Sequence, residues 1–167
     1  KDALGREWQV ATIQLDMNMP ERFNLACVDE KGKPERVVMI HAAIMGSIER
    51  FVSVLIEHFA GAFPLWLAPV QITILPVSEK FMVYGKKIFE ILKREGFRVE
   101  LNDANETLGK KIREAELQKI PYILVVGEKE KKNKKINVRH FGRGQEGEIE
   151  ITKFIQKLKK EIGQKII

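Results

Sequence analysis

The chain has 167 residues with a formal net charge of +6, long enough to bury one core, or one core and part of a second. Hydrophobic residues make up 44% and charged residues 31%, the balance of a soluble globular protein, and no apolar run approaches the roughly 20 residues that a membrane span requires. A single cysteine, Cys27, excludes an internal disulfide framework and fits a reducing cytosol. Charge is unevenly spread: residues 1–63 carry 7 basic and 9 acidic side chains, whereas residues 64–167 carry 22 and 14. The basic C-terminal part suits an anionic partner, and a lysine-rich solvated face is the alternative.

Lys1–Gln9 shows no basic, apolar and small-residue succession, so no secretory signal is expected. The abrupt opening on a strand leads us to expect a piece of a longer protein. Trp8–Asp16 reads as that strand, ending in the alternation Thr12-Ile13-Gln14-Leu15-Asp16. Two more strands, Asn24–Asp29 and Arg36–Ala42, are expected on either side of the polar loop Glu30–Pro34. A helix from Gly46 to about Ala60 places Ile48, Phe51, Val52, Leu55 and Phe59 on one stripe, the spacing of a core-facing helix. Pro64 and Pro69 interrupt both helix and central strand, so residues 64–69 are expected to be a packed apolar connector between domains spanning 1–63 and 70–167.

From Val70 strands and helices alternate. Strands are expected at Val70–Val77, Phe97–Leu101, Tyr122–Val126 and Lys135–Phe141. Helices are expected from Ser78 to Gly96, from Thr107 to Gln118, and at the end, where Ile151, Phe154, Ile155, Leu158 and Ile162 share a stripe. The continuous apolar run Tyr122–Val126 marks a strand covered on both faces. The lysines from Lys129 to Lys135 are placed in a hairpin around Asn133. Alternating elements of this kind argue for a small, mostly parallel sheet with helices packed on it.

The run His41–Phe51 carries the densest chemistry. A short apolar strand delivers His41, and a small-residue turn then opens a helix with Arg50 in its first turn. Gly46 and Arg50, four residues apart, share a helix face. A glycine there lets a flat ring or a phosphate approach the backbone, and a guanidinium can lie over it. This arrangement resembles motif 3 of class II aminoacyl-tRNA synthetases. Together with GREWQVATIQLD, PERFNL, FAGAFPLWLAPVQ and NETLGKKIRE, it makes the chain resemble the threonyl-tRNA synthetase family over nearly its whole length.

The resemblance implies an α/β protein. It predicts the end of an antiparallel class II catalytic sheet with the motif 3 helix, followed by a five-stranded mixed α/β anticodon-binding domain with three helices. It implies an ATP-dependent threonine–tRNA ligase working in the cytoplasm as a homodimer, with threonine, ATP, Mg²⁺ and threonine tRNA as partners and an active-site zinc. On the same ground Arg50 clamps ATP, Gln9 and Gln14 lie under the adenylate with Ser47 nearby, and His41 is a zinc ligand. The family's other zinc ligands come from sequence preceding Lys1, so the chain alone is expected to be inactive and to hold no cofactor tightly. Read from the residues alone, other roles stay open. The glutamines suit strand-edge amides, His41 a structural histidine, Arg50 a salt bridge near Glu49 or Glu57, and Ser47 a helix cap. Departures from the family's pattern at Val10, Met17, Cys27, Ala42 and Ser53 point to a diverged or altered catalytic remnant.

In the second domain the resemblance implies that Asn105, Arg113, Glu130 and Arg139 contact anticodon bases, by hydrogen bonds to unstacked base edges. On their own, Asn105 is equally a helix cap, and Glu130 with Arg139 a cross-hairpin pair. The lysines near Asn133 suit either a tRNA backbone or a solvated turn. Two further readings remain: a non-catalytic tRNA- or RNA-binding module, and an engineered scaffold retaining only the fold.

Overall fold

A computed structural model describes residues 1–166, and the chain forms two compact units, Lys1–Phe59 and Ala60–Ile167. In the first, strand β1 (Ala11–Asp16) pairs antiparallel with β4 (Met39–Ile44), and β2 (Ala26–Val28) pairs with β3 (Pro34–Arg36). One strand was expected over Arg36–Ala42. Instead the chain changes partner between Arg36 and Met39, so two ribbons share that stretch. A short helix not evident from the pattern, α1 (Asn18–Arg22), follows β1. Its first turn is held by Asp16, whose Oδ1 accepts from the backbone N–H groups of Asn18 and Met19, each at 2.9 Å. The β2–β3 loop closes around Asp29, which accepts from the N–H groups of Lys31 and Lys33, with Gly32 at φ 77° completing the turn.

Helix α2 (Ile48–His58) begins at the first residue of the hydrophobic stripe, two residues after the expected start at Gly46. Ser47 is its N-cap, accepting from Arg50 N at 3.4 Å, and Met45 and Gly46 precede it in the left-handed region. Its apolar stripe does not reach a core among the described residues. No residue of α2 is buried, and Ile48 and Val52 stand open, as do Ile13 and Leu15 on β1 and Ile40 and Ile44 on β4. A two-stranded ribbon and one helix have too little surface to cover both faces of each other.

The second unit is a five-stranded sheet in the order β6-β5-β7-β8-β9. Strand β5 (Ile72–Pro76) runs parallel to both β6 (Val99–Leu101) and β7 (Tyr122–Val126). Strands β8 (Lys135–His140) and β9 (Gly144–Glu150) complete it antiparallel, so the sheet is mixed. Helix α3 (Met82–Arg94) follows a 3-10 turn at Glu79–Phe81. Helices α4 (Leu108–Leu117) and α6 (Ile151–Gly163) are the other two long ones. Residues Glu128–Asn133, expected in a hairpin, form a short helix, α5.

Strand alternation sorts the core into two layers. Ile72, Ile74, Tyr122, Leu124, Val126, Ile136 and Val138 meet Ile88 and Leu92 of α3 and Phe154 and Leu158 of α6. On the opposite face Leu75 and Ile123 pack with Ala115 of α4 and with Ile120 just beyond it. The proline-bounded stretch before β5 is packed, with Leu65 and Ala68 buried. Gln71 donates to Leu65 O at 2.9 Å, and Arg98 donates to Ala68 O at 2.8 Å and to Trp66 O at 3.1 Å.

Candidate nucleic-acid interface

In the first unit, β1 and β4 set Gln14 directly opposite His41. His41 Nε2 lies 3.0 Å from Asp16 Oδ2. The Met19 N–H is the main cause of the low Asp16 pKa; burial opposes it, and His41 and the Asn18 N–H add to it. A substrate-binding zinc takes three protein ligands. Among the described residues no three His, Cys, Asp or Glu side chains converge in that way, so the residues present do not complete a zinc set. Gln9 lies before the regular strand, its amide donating to Thr12 Oγ1. It therefore does not share the pleat of β1 with Gln14. Gly46 approaches this segment closely: a Cβ on it would lie 3.2 Å from Gln9 O.

Ser47 caps α2 and also donates to Glu49 Oε2 at 2.6 Å, which is the first cause of the lowered Glu49 pKa. Arg50 has no acidic partner among the described residues. Its guanidinium carbon lies 5.7 Å from the Trp8 ring centroid, and that of Arg6 lies 5.6 Å from the same centroid. Trp8 donates its indole N–H to Asp2 at 2.8 Å. Burial raises the Asp2 pKa, but the hydrogen bonds from Trp8 and Arg6 outweigh it and bring the carboxyl down to about 2.

In the second unit, Asn105 lies exposed two residues before Thr107, and Thr107 is the cap of α4, accepting from Lys110 N at 3.4 Å. The Asn105 amide makes no hydrogen bond among the described residues. It lines a recess of about 600 Å³ with Lys80, Lys86 and Lys111. Lys110 pairs with Glu106, which raises its pKa, whereas Arg113 is exposed and enters no ion pair among the described residues. Glu130 is buried, and its carboxylate accepts from Gly127 N at 2.9 Å across the first turn of α5. It does not pair with Arg139.

Arg139 sits on β8 beside a register shift where β9 carries one extra residue. Ile136 and Val138 point into the α3–α6 layer, so Lys135, Asn137 and Arg139 alternate onto the face where α4 packs. There Arg139 Nη2 lies 3.4 Å from Glu116 Oε1 of α4, one helical turn beyond Arg113. Its Nε is buried without a hydrogen-bond partner among the described residues, a costly state for a charged donor. Arg139, Glu116 and Arg113 thus form one group, Asn105 lies at the start of the same helix, and Glu130 stands apart from them in α5. Asn137, which accepts from Gln145 at 3.5 Å, was not singled out in the sequence. The two-residue period of Lys135-Ile136-Asn137-Val138-Arg139 is the signal that places it beside Arg139.

Unpaired bases are read by hydrogen bonds to their edges, and the amide and guanidinium groups beside α4 and on the adjoining strand are groups of the kind that make them. Residues 71–161 match the family model described as anticodon binding domain, and the chain belongs to that family. Residues 1–59 match the class II tRNA synthetase core domain of the glycine, histidine, proline, serine and threonine enzymes. The chain's curated relatives include threonine–tRNA ligases. That of Caldanaerobacter subterraneus subsp. tengcongensis is 52% identical over the full chain, and that of Thermotoga neapolitana 52% identical over 97% of it. The chain spans about a quarter of their length, 26% and 25%. A solved structure titled as the RNA binding domain of threonyl-tRNA synthetase from Cryptosporidium parvum Iowa II superposes with a TM-score of 0.85. It shares 41% identity, and the likeness covers 95% of this chain and 40% of that one.

Proposed function

We propose that this chain serves threonine–tRNA ligation, with residues 70–167 reading the anticodon of threonine tRNA and residues 1–63 contributing motif 3 to an ATP and threonyl-adenylate site, residues 64–69 joining them. The observation that carries the first part is Arg139: a guanidinium on a sheet face that α4 covers only in part, with a buried Nε–H lacking an acceptor. A base edge supplies that acceptor. The uncommitted Asn105 amide and the Arg113 guanidinium extend the same reading along α4, and Glu130 is assigned to a base through its second carboxylate oxygen.

Arg50 supports the second part. Uncompensated by acid and lying against Trp8, it holds a fixed positive charge where ATP phosphates gather negative charge as adenylate forms. Gln9, Gln14 and Ser47 are assigned around it by amide and hydroxyl contacts. Mg²⁺ bound with ATP supplies further neutralisation. His41 is assigned as a single zinc ligand, and no step is built on it. A cytoplasmic, homodimeric whole enzyme is part of the same proposal, by analogy with the family. The reading of the chain as an RNA-binding module is favoured by the solved RNA-binding domain that matches nearly all of it.

Binding of a threonine anticodon stem-loop, compared with one altered at the second and third anticodon bases, tests the recognition role. The first should bind more tightly, and Arg139→Ala should remove most of the difference, about 1–3 kcal/mol for a bidentate base contact. Equal affinities for both RNAs, unchanged by Arg139→Ala, would falsify it. Threonine-dependent pyrophosphate exchange should stay at background with this chain, ATP and Mg²⁺, because one arginine and two glutamines do not complete the site; robust exchange would contradict that assignment.

A further inference from the structure

A second recess shares the Ser78–Lys80 turn with the one that holds Asn105. It has a volume of about 730 Å³ and is lined by Ser78, Lys80, Phe81, Glu128, Lys131 and Lys132, a size within the range of small-ligand pockets. Ser78 and Lys80 also line the recess that holds Asn105, so the two are neighbours with a common wall. The 3-10 turn after β5 brings Phe81 to one side, and α5 brings Lys131 and Lys132 to the other. Neither these lysines nor Lys80 enters an ion pair among the described residues, whereas Lys110, Lys157 and Lys159 are all held by glutamates. An aromatic ring with several uncompensated ammonium groups and one exposed carboxylate is the composition that binds a single-stranded nucleotide.

We propose that this recess takes one further unpaired nucleotide of the RNA, adjacent to the anticodon nucleotide at Asn105. Phe81 stacks on its base, Lys131 and Lys132 neutralise its flanking phosphates, and Glu128 accepts from an exocyclic amino group. The proposal rests on the anticodon-reading role of this unit and adds a contact outside the triplet. Being built on stacking and phosphate charge, the pocket contributes affinity more than choice of base.

An abasic scan tests it with the full 167-residue chain and the threonine anticodon stem-loop, each loop nucleotide being replaced in turn by an abasic residue. At one position flanking the triplet, the abasic residue should weaken binding to the unaltered chain roughly five-fold or more. The same replacement should cost nothing with Phe81→Leu, while Phe81→Tyr, which keeps the ring, should preserve the cost. Lys131→Gln with Lys132→Gln should lower the slope of log affinity against log salt by about 1.4, for two phosphate contacts on a single strand, and leave the choice of anticodon bases unchanged. A chain that prefers the threonine anticodon but shows no loop position coupled to Phe81 overturns the pocket alone. Coupling to Phe81 without anticodon preference removes the recognition role and leaves the pocket standing. No RNA binding at all overturns both.

Discussion

Arg139 and His140 are neighbours on β8 that face opposite demands. Arg139 turns towards α4 with a donor still to be satisfied. His140 lies against Tyr122, ring centroids 4.8 Å apart. Tyr122 is fully buried and donates to Glu161 of α6 at 2.8 Å. Burial pushes the His140 pKa below its ordinary value; the Phe141 carbonyl raises it in part, and the Arg143 charge lowers it further. Between the folded value and the unfolded one near 6.5, the unfolded chain binds the extra proton. Stability from His140 is therefore fully present above about pH 6.5 and is lost as pH falls through the folded value. Urea midpoints of the chain should drop from pH 7 to pH 5 more steeply than those of His140→Gln, and parallel curves would show that His140 does not titrate in this way. The arginine could be nominated from the sequence because its motif resembles a known one. The buried, unpartnered Nε could not, since it arises from a strand and a helix 23 residues apart in the chain.

Glycines in two helices show how packing reverses a local preference. Alanine is favoured over glycine in a helix interior by about 1 kcal/mol. In α4, a Cβ on Gly109 would meet nothing within 4 Å. In α3, a Cβ on Gly85 would lie 3.0 Å from Pro76 Cγ and 3.2 Å from Leu101 Cδ1, where the helix presses on β5 and β6. Crowding of that kind costs about 1–3 kcal/mol. Gly109→Ala should thus raise the denaturation midpoint slightly, while Gly85→Ala should destabilise by about 1 kcal/mol; a stabilised Gly85→Ala would mean that the proline ring and leucine give way freely. Helices α3, α4 and α6 were all legible from apolar spacing. Helix α5 was not, because Glu128–Asn133 has no apolar stripe. Its first turn is organised by the Glu130–Gly127 hydrogen bond, and its end by Lys134 in the left-handed conformation.

The two units differ sharply in how much they bury. Within residues 1–59 only Asp2 and Pro20 are buried, whereas residues 60–166 enclose both core layers. Local opening free energy follows buried apolar contact. Amide hydrogen exchange should therefore be fast in β1, β4 and α2 and slow in β5, β7 and β8; equal protection would show that residues 1–59 are held by contacts other than buried apolar ones. The open stripe of α2 and the bare faces of β1 and β4 lie in the part that matches the class II core, in a chain spanning a quarter of its relatives' length.

Patterns carried by neighbours at two or at three and four positions were written in the sequence. They include β7 at Tyr122–Val126, the amphipathic α6, the helix starting near Thr107, and the basic bias of the C-terminal part. Strand β9 escaped, since Gly144–Glu150 holds two glycines and three glutamates in place of an apolar alternation; it is a strand because β8 offers it a hydrogen-bonding edge. The division of residues 34–44 between two ribbons, the isolation of Arg139 Nε and the lysine-lined recess beside Phe81 depend on segments far apart in the chain. Spacing along a sequence states which face a residue takes within its own element. It does not state which element will cover that face, and both the buried donor and the recess are produced by that covering.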